Sequence, residues 1–219
     1  ALAQKFGGEI VNADSRQVYR GLDIATAKAS VAERVALPHH CLDLVRPDEP
    51  FTLADYQTAA RTVIADIVIR GRLPIVVGGT GLYIRALVEN LQLPEVPPDP
   101  GLRAELEKMT IEALFAELER LDPATERVIQ RGNRRRLVRA LEVVRKTGRS
   151  FTVLGGKGAK EYNALILGLK PEPEIWRTKV SARIEAQLVA GLIEEARRVL
   201  AEYDATLPAL SGIGYPEIG

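Results

Sequence analysis

Leu73-Pro-Ile-Val-Val-Gly-Gly-Thr-Gly81 is the stretch that decides the fold. Its first five residues form a short apolar run, rich in β-branched side chains, that reads as a buried strand, and the glycine-rich turn leads directly into a helix over residues 82–90. Working backwards, Thr52 opens a T-x-x-D cap with Asp55, and Leu53, Tyr56, Ala60, Val63, Ile64, Ile67 and Val68 recur at helical spacing as far as Gly71. Residues 41–45 read as a further strand before that helix. A strand, a helix of about five turns and a strand make one βαβ unit, which calls for a sheet that is at least partly parallel. Earlier still, residues 1–6 have the pattern of the last turn of a helix, stopped at Gly7-Gly8 and followed by a strand over residues 9–13. A chain that opens inside a helix without an initiator methionine is expected to lack upstream residues.

Downstream, Leu93-Pro-Glu-Val-Pro-Pro-Asp-Pro100 cannot continue a helix or a central strand and marks a boundary. Residues 101–148 are patterned as helix throughout: Leu102/Leu106/Met109, then Leu114/Leu118/Leu121, a short start at Asp122-Pro123, and a last helix from an Asn133 cap to Gly148. Strand character returns over residues 164–169, and two helices follow Pro171, striped by Val180/Ile184/Leu188 and by Leu192/Ala196/Val199. The expected organisation is an α/β core over residues 1–96, an all-α insertion over 97–160, and the second part of the core over 161–219.

With 219 residues, 46% hydrophobic and 27% charged, the composition is that of a folded protein and far from disordered chains. The single cysteine, Cys41, excludes an internal disulfide, and the chain opens on no secretory leader pattern, so a reducing, cytoplasmic setting is expected. The apolar run 63–69 is interrupted by Asp66 and is far shorter than the roughly 20 residues that span a bilayer, so no membrane partner is expected. A formal net charge of +1 does not identify partners, but the charges are unevenly spread.

Four constellations could carry chemistry. Asp14-Ser15-Arg16-Gln17 puts a carboxylate, a hydroxyl, a guanidinium and an amide on one loop at the carboxyl edge of a strand; it suits recognition of a base edge, or it is a polar turn that Asp14 caps. Gly78-Gly79-Thr80-Gly81 either lets an anion approach the backbone at a helix N-terminus or is a tight turn needing positive φ. In the run Arg131, Arg134, Arg135, Arg136, Arg139, Arg145, Lys146 and Arg149 only Glu142 is acidic. Residues 135, 139, 142 and 146 share one helical face, either a basic stripe for a phosphate backbone or a solvated surface. Lys179 and Arg183, one helical turn apart, could clamp a diphosphate or pair with Glu172, Glu174 or Glu185. His39 and His40 are adjacent, point to opposite faces of a strand and cannot share a metal, so they are expected to be structural.

Taken in order, Asp14-Ser-Arg-Gln-Val-Tyr-Arg-Gly-Leu-Asp-Ile-Ala-Thr-Ala-Lys28, Pro38-His39-His40, Gly78-Gly-Thr-Gly-Leu-Tyr83, Arg136-Leu-Val-Arg-Ala-Leu-Glu142 and Gly212-Ile-Gly-Tyr215 resemble the tRNA dimethylallyltransferase family, across nearly the whole chain. The resemblance implies a nucleotide-binding, P-loop-NTPase-like, mostly parallel sheet with flanking helices, and a helical insertion that clamps the anticodon stem-loop. It implies transfer of a dimethylallyl group from dimethylallyl diphosphate to the N6 amine of the adenosine 3′ of the anticodon, assisted by Mg²⁺ that no residue of this chain binds, by an enzyme expected to be a monomer. By the same resemblance Asp14 is the proton acceptor and Thr80 positions it. Ser15, Arg16 and Gln17 lie against the flipped adenosine; Arg103, Arg135, Arg136, Leu137, Val138, Arg139, Gly214 and Tyr215 meet the tRNA; Lys179 and Arg183 hold the diphosphate.

The sequence departs from that pattern in three respects. The family's G-x-x-x-x-G-K-[ST] string does not occur, Ala25 stands where the family usually has glycine, and family members continue beyond Tyr215. The chain is therefore expected to be a fragment, inactive without the P-loop. The alternatives are a P-loop-type small-molecule kinase, for which the Arg-rich insertion has no use, and an inactive RNA-binding fragment.

Overall fold

The structure is a computed structural model and describes residues 1–130 and 132–218. It opens with helix α1 (Leu2–Phe6), closed by left-handed Gly7, and strand β1 (Gly8–Asn12). Helix α2 (Val31–Ala36) precedes strand β2 (His39–His40). Helix α3 (Leu53–Ile69) starts at a complete Thr52/Asp55 capping box and leads to strand β3 (Leu73–Val77) and helix α4 (Gly81–Val88). Strand β4 (Leu91–Gln92) is followed by α5 (Pro100–Glu107), α6 (Ile111–Leu121), α7 (Pro123–Glu126), α8 (Arg134–Thr147), α9 (Phe151–Leu154) and strand β5 (Gly156–Lys157). Helices α10 (Pro173–Val189) and α11 (Leu192–Glu202) and a 3₁₀ turn at Pro208–Ser211 complete the chain.

Two compact units divide it: residues 1–88 with 162–218, and residues 89–161. In the first, β1 lies between β2 and β3, and both pairings are parallel, so this is an α/β unit with a parallel sheet. Its core gathers Val11, Leu22, Tyr56, Ile67, Leu87, Leu210 and Tyr215, and Tyr56 stacks on Tyr83 at 3.8 Å between ring centres. In the second, α5, α6 and α8 pack around Leu106, Leu114, Leu118, Leu137 and Leu141. Residues 89–96, read as core from the proline boundary, cluster with this helical unit because Leu91 and Gln92 pair antiparallel with Lys157 and Gly156.

Four expectations are corrected. The strand expected at 41–45 is His39–His40 instead, paired with Ile10 and Val11; Cys41 (φ 60°) and Asp43 (φ 55°) are left-handed, which no strand accommodates. Strand β3 is not fully buried, because among the described residues it pairs on one side only and leaves Leu73 and Val77 about half exposed (48% and 51%). Residues 164–169 form no strand: Leu165, Ile166, Leu167 and Leu169 are exposed and join no ladder among the described residues. The 180/184/188 stripe of α10 also stays out of the core, with Ile184 and Leu188 exposed, whereas Leu192, Ala196 and Val199 of α11 are buried as expected. Among the described residues no helix is long and apolar enough to cross a membrane.

Candidate active site

Strands β1 and β3 run side by side with Asn12 opposite Val77, so the turns at their carboxyl ends meet. Ala13 N–H donates to Val77 O (2.8 Å) and Thr80 N–H to Ala13 O (3.1 Å). This contact explains Gly78: a Cβ there would sit 2.1 Å from Ala13 O. None of Gly78, Gly79 and Gly81 has positive φ, so the turn needs glycine for close approach of two backbones and not for a left-handed conformation.

Around this crossing the Asp14 loop is built. Asp14 Oδ1 accepts from Arg16 N–H (2.8 Å) and, at 3.4 Å, from Gln17 N–H, which is the capping role expected of a polar turn. Its second oxygen has no hydrogen-bond partner among the described residues and lies beside Gly79, where an added Cβ would come within 3.9 Å. One oxygen thus shapes the loop and the other is free to accept a proton. Among the described residues Thr80 forms no hydrogen bond with the carboxylate: its Oγ1 accepts from Ser15 N–H (2.9 Å) and donates to Ser15 Oγ (3.2 Å), holding the peptide next to Asp14.

Arg16 turns away from this group. Its guanidinium donates to Pro208 O and, at 2.9 Å, to Ser211 Oγ, which removes it from the set free to read a base. Gln17 donates through Nε2 to Thr26 O (2.9 Å) and Ala27 O (3.3 Å), while its carbonyl oxygen has no hydrogen-bond partner among the described residues. Tyr215 is buried at 1% exposure, with its hydroxyl donating to Glu195 Oε1 (2.9 Å); burial, then the neighbouring carboxylate, pushes its pKa well up. The phenol therefore faces the core and not a solvent-borne partner. Gly214 (φ 111°) is glycine by necessity, since a Cβ would also lie 3.2 Å from Ala25 Cβ.

Lys179 and Arg183 lie exposed on α10 and form no ion pair among the described residues; of the three glutamates expected to compete, Glu174 pairs with Arg177. Arg183 lines an open cavity of about 420 Å³ with Ile24, Lys28, Arg34 and Gln187, and Lys179 does not. His39 and His40 hold the sheet: His39 Nδ1 meets Leu37 O (2.7 Å) and His40 Nε2 meets buried Glu9 (2.7 Å).

Two buried carboxylates on helices were missed. Glu195, 6% exposed on α11, accepts from the backbone N–H of Asp23 (3.0 Å), Ile24 (2.8 Å) and Ala25 (3.0 Å). Glu142, fully buried on α8, accepts from Arg103 (2.9 Å), Arg139 (2.5 Å) and Asp99 N–H (2.7 Å). Each carried a signal, an acidic residue at a helical position shared with apolar neighbours (Leu192, Ala196 and Val199; Val138 and Leu141).

Glu142 reorganises the expected basic stripe. Burial alone would raise its pKa, but Arg103, the Asp99 N–H and Arg139 outweigh burial and hold it at about 2. Arg145 is taken up by Glu117 and Glu105, Lys146 by Asp99, and Arg134 donates to Met109 O (2.6 Å). Leu137 and Val138 are buried in the helical core and present no side chain to a partner. Arg135 and Arg136 are exposed and form no ion pair among the described residues, while Arg131 lies outside them.

Comparison with known proteins fits both units. The family model described as IPP transferase matches residues 17–219. The chain is 48% identical over 222 residues to a tRNA dimethylallyltransferase of Roseiflexus sp. (strain RS-1), covering 99% of this chain and 72% of the relative. A full-length tRNA isopentenylpyrophosphate transferase from Bacillus halodurans superposes with a TM-score of 0.67 at 35% identity, over 99% of this chain and 69% of that one. A eukaryotic dimethylallyltransferase crystallised acting on tRNA superposes with a TM-score of 0.83 at 28% identity, over 99% of this chain and 57% of its own. With its P-loop-NTPase-like α/β fold, this chain belongs to the IPP transferase family of tRNA-prenylating enzymes, the tRNA dimethylallyltransferases.

Proposed function

We propose that this protein moves a dimethylallyl group from dimethylallyl diphosphate to the N6 amine of the adenosine immediately 3′ of the anticodon. The observation that carries the residue-level reading is the unpaired second oxygen of Asp14, held at the meeting of two βα turns. An adenosine amine is a weak nucleophile buried in a stack, so the base must leave the stack and be aligned with the allylic carbon. As the N–C bond forms, the C–O bond to diphosphate breaks with its electron pair on the leaving group, and the amine proton passes to Asp14.

Lys179 and Arg183 are the cations of this reading that offset charge on the departing diphosphate; both are unpaired among the described residues, which favours the role. Mg²⁺ belongs to it as a companion of the diphosphate. Among the described residues no three His, Cys, Asp or Glu side chains come together, and no step here passes through the ion. On the helical unit Arg135 and Arg136, exposed and without an ion pair among the described residues, are the cations assigned to tRNA phosphates.

The test is transfer of label from dimethylallyl diphosphate to an anticodon stem-loop carrying that adenosine, with the natural protein and Mg²⁺. Label on the adenosine is the expected result. Salt-sensitive binding without label would overturn the chemistry and leave the RNA partner standing.

A further inference from the structure

We infer that Glu195 is a positioning residue that fixes which end of the Gln17 amide faces the incoming base; this rests on the function proposed above. The two are linked by the loop between them. The Glu195 carboxylate gathers three consecutive backbone N–H groups, those of Asp23, Ile24 and Ala25, and the hydroxyl of Tyr215. From α10, Gln187 Nε2 donates to Ile24 O (2.6 Å) and Ala25 O (3.3 Å), so the same two residues are held from both sides. Arg198 on α11 donates to Gly21 O (3.0 Å), and buried Lys28 closes the far end through Tyr19 O (2.7 Å), Asp23 (2.6 Å) and Asp43 (2.7 Å).

What this loop presents to the Asp14 side is a pair of carbonyl oxygens, those of Thr26 and Ala27, and Gln17 Nε2 spends its two N–H bonds on them. Reversing the amide would set Oε1 against both carbonyls, so its orientation is determined. Gln17 is thereby an acceptor only, suited to a base that offers an N–H donor, such as the exocyclic amine of adenine. Nothing in Gln17 itself selects that orientation; the carbonyls do, and the carbonyls stay in place because Glu195 holds the residues just before them.

The experiment compares binding and transfer by the natural protein on two stem-loops that differ only at the acceptor nucleotide, adenosine or purine riboside, which lacks the amine. Wild type is expected to bind the adenosine RNA about tenfold more tightly. Glu195→Gln, which can keep an oxygen on the Asp23 and Ile24 N–H groups only by setting its NH₂ against Ala25 N–H, is expected to bring the two RNAs within about twofold, mainly by weakening the adenosine one, and to lower kcat. Gln17→Ala should do the same, and the double variant should be no worse than either single one, because both act through one contact. Gln187→Ala should give a smaller loss in the same direction, and it carries the test if Glu195→Gln does not fold. Retained preference in these variants, or equal weakening for both RNAs, overturns the inference alone. A wild type that labels adenosine but does not distinguish the two RNAs in binding also overturns the inference alone, whereas a wild type that transfers no label overturns the proposed function with it.

Discussion

The backbone N–H of Ser15 donates to Thr80 Oγ1 across 2.9 Å, joining the turn after β1 to the turn after β3. Thr80 therefore acts on the Asp14 loop through its backbone, and Thr80→Val should leave Asp14 chemically intact but unanchored. Transfer is expected to fall roughly 5- to 30-fold, with little change in melting temperature, and Thr80→Ser should recover most of it. Steady-state kinetics of the two variants decides this; a serine variant as slow as valine would remove the hydroxyl from the account.

Asp14→Asn keeps an Oδ1 that can still accept from Arg16 N–H, so the loop should hold its shape, but the amide cannot take up a proton. Stem-loop binding should persist while transfer drops by roughly 10²-fold or more. Loss of both to the same extent would mean that Asp14 is structural.

Gly78→Ala forces a methyl group to within 2.1 Å of Ala13 O, and the obstacle is backbone at the carboxyl end of the central strand. Destabilisation by about 3 kcal/mol is expected, read as a lower urea midpoint at unchanged slope. A neutral substitution would show that the two turns can separate without cost.

Arg103 and Arg135 both resemble tRNA-contacting positions, yet they should behave oppositely. Arg103→Ala strips two charge-assisted bonds from buried Glu142 and should cost about 2 kcal/mol of stability. Arg135→Ala should leave stability unchanged and lower stem-loop affinity, with the slope of log affinity against log salt reduced by about 1. Parallel thermal melts and salt titrations check the contrast.

Acid should unlock both units. Glu142 is held at about 2 against an ordinary 4.5, as is Glu9, where hydrogen bonds from Arg70 outweigh burial and His40 adds to them. A depressed carboxylate pKa contributes stability that is complete above the unfolded value and is lost as pH falls through the folded one. Melting temperature should therefore hold above about pH 4.5 and decline towards pH 2, and Glu142→Gln should flatten that decline for the helical unit.

Much of the fold was legible in short stretches. The Thr52/Asp55 box, the Gly71 stop and the apolar run at 73–77 are local signals, and each element formed where those signals placed it. The strand read at 41–45 failed for a reason the residues do not display: Cys41 and Asp43 adopt left-handed backbone while Cys41 O receives Asn12 Nδ2 (3.1 Å) and Asp43 O receives Arg20 Nε (2.9 Å). The apolar run at 164–169 carries strand propensity, but a strand exists only with a neighbour, and propensity does not name one.

By itself the sequence determined the α/β class, the caps and glycine stops that bound its helices, the family, and the loop that bears Asp14, because all of these rest on residue types at fixed short spacing. Only the tertiary structure decided which polar groups remain available. Arg16 is taken by Pro208 and Ser211, Arg103 and Arg139 by Glu142, and Tyr215 by Glu195, while one Asp14 oxygen, the Gln17 carbonyl, Arg135 and Arg136 stay open. A side chain's chemistry is written in its residue type, but its partner is chosen by contacts between residues far apart in the chain, and those exist only once the core has closed.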